Sequence, residues 1–410
     1  MRRISLAARR AMELDSCVVA GRAAARKRLL RILTAATARQ EMPAMSIAAA
    51  ADDASLPGFV PAIIDVARFT EGNVEERATV AAEWDDAFQN VGFAIIRNYG
   101  RIVPVDSLAS LRVEAEKYFA LPMVEKQRAH MDNQFGFVGP GAENVGATLG
   151  DSDAVPDLVE ALNFSGYQQG TAEWTVANAE AECPWLQESF ARFVPPRLRR
   201  AAQRYWGVQS QLMTTLMELS EVALDLPPGF FATPTDGGYD RPGCLLRLAH
   251  YIPIPTDGPE GVAAVSENRS RYGAHTDYDG FTILSKGPPA APDGEGGGGL
   301  EIQLRSGEWV RVNPPPDTLI INIGDLLARW TNDRWRATMH RVARPALGSA
   351  EARQGQLSVV FFSGPHPQTV VKCLPSTKCL GTAPPKYQPI EAFEHVAQKL
   401  SAATVASIDY

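Results

Sequence analysis

The chain has 410 residues, 45% hydrophobic and 21% charged, with a formal net charge of −7. That balance belongs to a globular protein with a sizeable core, in one large domain or two intimate ones. It contains no run of about 18 apolar residues, so no transmembrane helix is expected, and its acidic body argues against nucleic-acid binding, which needs a basic surface.

The charge is unevenly spread. Residues 1–50 hold nine Arg and one Lys against Glu13, Asp15 and Glu41, a net of +7, so the rest of the chain carries −14. This segment is rich in Ala and nearly free of aromatics, and Arg22 to Leu33 can form a basic amphipathic helix. Residues 1–54 therefore read as an organellar transit segment, for plastid or mitochondrion; without that role the chain would be cytoplasmic. The five cysteines, Cys17, Cys183, Cys244, Cys373 and Cys379, are scattered and form no Cys-x-x-Cys pair. Free thiols in a reducing compartment follow.

The folded part begins near Leu56-Pro57-Gly58. Val60 to Asp65 reads as a short buried strand. Glu75 to Asn90 has helical spacing, with Val80, Trp84 and Phe88 on one stripe. Phe93 to Ile96 is a second strand and Leu108 to Phe119 a second helix. The polar, Gly-rich stretch from Gln134 to Asp157 reads as a long loop of the kind that forms lids and binding segments. Pro195 to Leu226 is a long amphipathic helix burying Tyr205, Leu212, Leu216 and Leu219.

From Leu245 onward the apolar period changes to two. Strands are expected at Leu245–Tyr251, Thr282–Ser285, Leu300–Leu304, Trp309–Val312, Thr318–Ile323, Thr338–Ala343 and Leu357–Phe362, with the Gly/Pro-rich insert 287–299 as a surface loop. Short strands at regular intervals indicate a sandwich or barrel of jelly-roll type, so the fold class is mainly β with flanking helices. The resulting division is a 55–190 N-terminal module, a 191–240 connecting helix and linker, a 241–375 β core and a 376–410 C-terminal helix.

His275 and Asp277 stand two apart on one strand, and His340 follows some 60 residues later in Thr-Met-His-Arg-Val. Residues i and i+2 of a strand point to one side, so the first two can share an ion. Two imidazoles and a carboxylate are the facial triad of non-haem Fe(II) oxygenases. A structural zinc site would call for a fourth ligand, usually Cys or His, and none is evident.

These residues sit within longer motifs. Ile63-Ile64-Asp65, Gly92-Phe93-Ala94-Ile95-Ile96-Arg97-Asn98 and Phe119-Ala120-Leu121-Pro122 lie in the N-terminal half, followed by Pro156-Asp157 and Glu160-Ala161-Leu162-Asn163-Phe164. Leu246-Arg247-Leu248-Ala249-His250-Tyr251, Gly273-Ala274-His275-Thr276-Asp277, Asn322-Ile323-Gly324-Asp325, Arg329-Trp330-Thr331-Asn332-Asp333 and His340-Arg341-Val342 follow in order. In this series the chain resembles the plant and fungal Fe(II)/2-oxoglutarate-dependent dioxygenase superfamily, which includes isopenicillin N synthase, over residues 58 to 395. The resemblance implies a double-stranded β-helix with an N-terminal α/β module and with iron in its mouth. It also implies Fe(II), 2-oxoglutarate and O2 as cofactor and co-substrates, with a place for ascorbate, and His275, Asp277 and His340 as both catalytic and metal-binding residues.

In that family an Arg-x-Ser pair on a late strand grips the far carboxylate of 2-oxoglutarate. The matching segment here is Gln356-Leu357-Ser358: Ser358 fits, and Gln356 stands in place of Arg. Arg353 and Arg247 are the alternative cations, and Tyr251 matches a tyrosine that touches the co-substrate. Trp330, Asn332 and Phe362 are candidate pocket walls, the C-terminal helix near Pro389 to Leu400 is a further one, Arg341 is an ion-pair partner, Asp325 caps a turn, and Asp279 is solvated.

The reading that follows is an Fe(II)- and 2-oxoglutarate-dependent oxygenase that hydroxylates, desaturates or cyclises a small molecule and releases succinate and CO2. The protein is expected to be a monomer with no nucleic-acid or membrane partner. Two alternatives remain open at this point: an Fe(II) oxidase of the same fold that dispenses with 2-oxoglutarate, and a non-catalytic sensor.

Overall fold

A computed structural model describes residues 59–131, 136–149, 156–165, 192–254, 270–287, 298–381 and 384–403. The basic segment 1–54 and most of the insert 287–299 lie outside these residues. None of the described helices is long and apolar enough to cross a membrane.

The N-terminal half supplies β1 (Ile63–Asp65), α1 (Val66–Thr70), α2 (Val74–Asn90), β2 (Phe93–Arg97), α3 (Val105–Phe119), α4 (Met123–Gln127), β3 (Gly136–Val138) and β4 (Val159–Ser165). The long α5 (Pro196–Ala223) leads into β5 (Gly243–Tyr251), β6 (Tyr272–His275), β7 (Phe281–Ser285), β8 (Gly299–Gln303), β9 (Trp309–Arg311) and β10 (Leu319–Ile323). After α6 (Asp325–Trp330) come β11 (His340–Ala343), α7 (Ala350–Gln354), β12 (Gln356–Gly364), β13 (Val370–Val371), α8 (Thr377–Leu380), β14 (Ile390–Glu391) and α9 (Ala392–Ala403).

Local chemistry sets these boundaries. Asn73 opens α2 with a capping box: its Oδ1 accepts from the amides of Glu75 and Glu76, while Glu76 Oε2 accepts from the Asn73 amide, all at 3.0 Å. The stripe Val80, Trp84, Phe88 is fully buried, as are Tyr205, Leu212, Leu216 and Leu219 of α5. α2 and α3 both pack on α5.

The strands form a larger sheet in the order β1-β2-β10-β7-β12-β5-β4-β3 and a smaller one in the order β6-β11-β8-β9. Apart from the parallel β1–β2 pair, the strands of the larger sheet pair antiparallel. Side chains alternate across the larger sheet with period two. Ile283, Val359 and Phe361 point outward into the main apolar core with Trp84 and Leu212, whereas Leu284, Ser358 and Val360 point inward to a cavity. The expected jelly-roll architecture is therefore present: one face of the sheet is backed by helices and the other faces the smaller sheet and the site.

One expectation is corrected. The stretch from Gln134 to Asp157 is not an unbroken loop, because β3 and a 3-10 turn over Val145–Leu149 interrupt it. β3 pairs with β4, which pairs with β5, and the two extend the larger sheet at its edge. Every residue of β4 is buried, so its sequence VEALNFS shows no alternation of the kind that marks a half-exposed strand.

Trp84 joins the helical layer to the sheet. Its ring lies 4.5 Å from that of Phe88 and 5.6 Å from that of Phe281, and its Nε1–H donates to Ser220 Oγ at 3.1 Å. Trp84→Ala is expected to cost about 3–5 kcal/mol of stability by leaving a cavity and removing the donor to Ser220 Oγ, read as a lowered midpoint in urea unfolding.

Candidate metal centre

The pairing of β6 with β11 puts His275 directly opposite His340, and Asp277 follows where the chain leaves β6. His275 Nε2 is 3.5 Å and His340 Nε2 3.6 Å from Asp277 Oδ1, with the imidazole centroids 4.2 Å apart and all three residues buried. One donor atom from each lies within 4.8 Å of the others, and among the described residues this is the group that could hold a metal ion.

The orientation of each donor is fixed from behind. His275 Nδ1 faces the Gly273 carbonyl at 2.8 Å, and His340 Nδ1 faces the Thr338 carbonyl at 3.0 Å. A carbonyl can only accept, so each Nδ1 carries the proton and each Nε2 turns a lone pair inward. Asp277 Oδ2 accepts from Thr282 Oγ1 at 2.5 Å and Asn322 Nδ2 at 2.6 Å, which leaves Oδ1 to the centre. Three lone-pair donors thus converge in a buried space. They repel one another unless a cation lies between them, and this donor set suits Fe(II) with open coordination positions.

The titration of the three groups reflects their crowding. Burial, and then His340, push the His275 pKa down. Burial opposes ionisation of Asp277, yet the two imidazoles hold its carboxyl well below the usual range. His340 is disfavoured as a cation by burial, but Asp277 outweighs this and raises its pKa.

Thr282 and Asn322 escaped the sequence reading. They are directly opposite each other in the β7–β10 register. The Asn-Ile-Gly-Asp motif flagged Asn322 without a role, and nothing in the sequence places Thr282 behind a carboxylate five residues earlier.

The triad opens into a cavity of about 200 Å³. Tyr251, Arg247, Gln356 and Ser358 all line it. Arg353 does not. It lies on α7, exposed, with its guanidinium donating to the Gly348 carbonyl. Gly355 adopts a φ of +71° between α7 and β12, so the chain turns before the strand begins and Arg353 stays off the cavity wall. Arg247 is present but committed: its Nη1 and Nη2 reach Glu143 Oε1 and Oε2 at 2.9 and 2.5 Å, and both residues are buried. Glu143 belongs to the stretch expected to be a plain loop.

Other expectations divide. Phe362 lines the cavity; Trp330 packs instead on Phe231, and Asn332 bonds to the Cys379 carbonyl and the Lys386 amide. Arg341 pairs with Glu301 at 2.8 Å as expected. Asp325 caps no turn: it begins α6 and instead meets Lys399 at 2.9 Å and His395 at 3.4 Å on α9. Those contacts hold α9 over the cavity, where Val396, Leu400 and Ala403 form part of the wall. Asp279 is half-buried rather than exposed. It lines the cavity, and burial followed by the charge of Asp277 pushes its pKa up to about 7.

Comparison with known proteins decides the family. A profile of the 2OG-Fe(II) oxygenase superfamily matches residues 242–365, and one described as the N-terminal region of non-haem dioxygenases in morphine synthesis matches residues 61–188. The chain is 30% identical over 296 residues to a 2-oxoglutarate-Fe(II) type oxidoreductase, ppzC, of Metarhizium rileyi (strain RCEF 4871), covering 70% of this chain and 74% of that protein. This chain belongs to the 2OG-Fe(II) oxygenase superfamily. It is also 28% identical over 319 residues to the validamycin A dioxygenase of Streptomyces hygroscopicus subsp. limoneus, covering 76% of this chain and 79% of that protein. Among solved structures, a full-length Neurospora crassa protein in complex with alpha-KG and thymine superposes with a TM-score of 0.64 at 24% identity, covering 85% of this chain and 98% of that one.

The protein is therefore a 2-oxoglutarate-dependent dioxygenase that uses Fe(II), 2-oxoglutarate and O2. The sensor and the oxidase without 2-oxoglutarate fall away.

Two outcomes follow from the geometry. Thr282→Val keeps the shape of the side chain and removes one of the two donors to Asp277 Oδ2; the affinity for Fe(II), titrated anaerobically, should fall roughly 10–100-fold. Asp157 gives a pH test. Its oxygens accept from the Val145 and Gly273 amides at 2.9 and 2.8 Å, but burial dominates and pushes its pKa up to about 7. A raised carboxyl pKa means that the folded state holds the proton longer than the unfolded chain, so its contribution is complete below the unfolded pKa and is lost as pH rises through about 7. Denaturant midpoints of the metal-free protein should show that loss, and Asp157→Asn should flatten it.

Proposed function

We propose that this dioxygenase hydroxylates a small organic molecule at an aliphatic C–H bond, with His275, Asp277 and His340 as the iron ligands. The observation that carries the reading is the cavity itself. Its 200 Å³ must hold the co-substrate and the reacting part of the substrate together, and α9 covers part of it. A concave pocket with mostly apolar walls and a few convergent polar groups suits a small organic ligand. Two relatives support small molecules: one is named a validamycin A dioxygenase, and the structure of the other contains thymine.

The residues around the cavity divide the tasks in this scheme. Ser358, Gln356 and Tyr251 position the co-substrate within the larger sheet. The Gly273 and Thr338 carbonyls hold the imidazole tautomers, so that both Nε2 atoms stay unprotonated. Thr282 and Asn322 keep Asp277 ionised and oriented. Val396 and Leu400 of α9 shield the reacting carbon from water, with Phe362 opposite on β12. Bound iron supplies the redox chemistry by which 2-oxoglutarate and O2 yield succinate, CO2 and one oxygen atom for the substrate.

The test is a panel of small metabolites incubated with the Fe(II) protein, 2-oxoglutarate and labelled O2. The expected result is succinate formed one-for-one with a product that carries a single labelled oxygen, and loss of both in His340→Ala. A product lighter by two hydrogens, with no oxygen gained, would replace hydroxylation by desaturation or ring closure.

A further inference from the structure

Closing the family's co-substrate site requires a cation near Ser358, and β12 does not provide one. Gln356 is neutral. An ionised carboxylate taken into this cavity without a partner loses its hydration and gains only neutral hydrogen bonds in return, a large penalty. Apart from the two metal-facing imidazoles, the described cavity wall has two cationic side chains, Arg247 and Lys286. Arg247 is neutralised by both oxygens of Glu143.

Lys286 follows the last residue of β7 and continues the inward series Thr282, Leu284, Lys286, all three on the cavity wall. β7 pairs with β12 through Leu284↔Val360. Continuing that antiparallel register by two residues sets Lys286 across from Ser358. Gly287, the next residue, lies beside Gln356: a Cβ placed there would be 3.6 Å from Gln356 Cγ. The ammonium lies beside Gly299 on the facing sheet, where a Cβ would come within 3.1 Å of Nζ. Gly299 has a φ of +118°, which other residues rarely adopt, so this open space is built into the backbone.

We propose that Lys286 binds the distal carboxylate of 2-oxoglutarate, taking over from the neighbouring strand the role that Arg plays on β12 elsewhere in the family. Ser358 and Gln356 then complete the site with neutral donors. The inference rests on the 2-oxoglutarate dependence established above and adds the residue that recognises the co-substrate.

Two further observations agree. Burial lowers the Lys286 pKa, with Glu351 acting in the opposite direction and Arg311 adding to the lowering. Among the described residues no carboxylate forms a salt bridge with its Nζ and Glu351 acts on it without one, so a bound dicarboxylate would add a direct counter-charge. The change of strand also accounts for Gln356: an Arg there would place a second cation beside Lys286.

The experiment is an anaerobic titration of the Fe(II) protein, following the visible charge-transfer band of the bound 2-oxo acid. The two ligands are 2-oxoglutarate and 2-oxopentanoate, which has the same chain length and chelating end but lacks the distal carboxylate. The wild-type protein should prefer 2-oxoglutarate on the order of a hundredfold, the scale of one buried charge pair. Lys286→Met should remove most of that preference while leaving the 2-oxopentanoate affinity, the Fe(II) affinity and the melting temperature near wild type. Combining Lys286→Met with Gln356→Arg should restore it. Lys286→Gln provides the same comparison should the methionine variant fold poorly.

If the preference persists in both Lys286 variants, the assignment is wrong and the anchor lies elsewhere. If 2-oxoglutarate gives no band with the wild-type protein, both the co-substrate dependence and the Lys286 assignment fall. A preserved band with an unchanged preference overturns the lysine alone.

Discussion

The site depends on one backbone pairing. Antiparallel hydrogen bonding between β6 and β11 sets His275 against His340, and the chain carries Asp277 to the same point as it leaves β6. Everything else at the centre keeps those three side chains from relaxing. Their Nδ1 atoms are tied to main-chain carbonyls, and the outer oxygen of Asp277 is tied to β7 and β10. A shift of one residue in the pairing would turn one imidazole to the opposite face of the sheet, because side chains alternate. The larger sheet and the helices behind it resist such a shift.

That sheet works differently on its two faces. Outward, Phe361 meets Trp206, and Phe281 meets Trp84 and Phe88. Inward, Thr282, Ser358 and Asn322 present polar atoms to the cavity. The apolar face fixes the strands, and strands fixed in this way can hold buried polar groups that would otherwise destabilise the fold. The helices behind that face, α2, α3 and α5, are thus remote from the chemistry but support its geometry.

Charge in the cavity follows the same logic. Arg247 and Glu143 satisfy each other, so they add order without leaving a free charge. Removing either would strand the other in a buried position, which is costly, whereas the intact pair contributes little net stability. Lys286 is the group that remains to meet a ligand. Two inward-facing positions, one on β12 and one just past the end of β7, face the same space, so a cation can move between them without changing the chemistry of the site. A reading along β12 alone sees a missing arginine; the sheet shows a neighbouring lysine.

The convergence of His275, Asp277 and His340, the jelly-roll class, the long helix with its buried stripe and the absence of Arg at position 356 were all legible before any coordinates. Each of these is written in local spacing: period two for strands, helical spacing for α2 and α5, and His-x-Asp on a single strand. The linear chain did not show β3 and β4, whose buried residues lack alternation, nor the Glu143 partner of Arg247, 104 residues away. Arg353 looked available because sequence distance from Gln356 is short; the turn at Gly355 removes it from the wall. Thr282, Asn322 and Lys286 acquire their places only when β7 lies between β10 and β12. Period and motif depend on neighbours along the chain, whereas the partner of a carboxylate or an ammonium is decided by strand order, which only the folded sheet fixes.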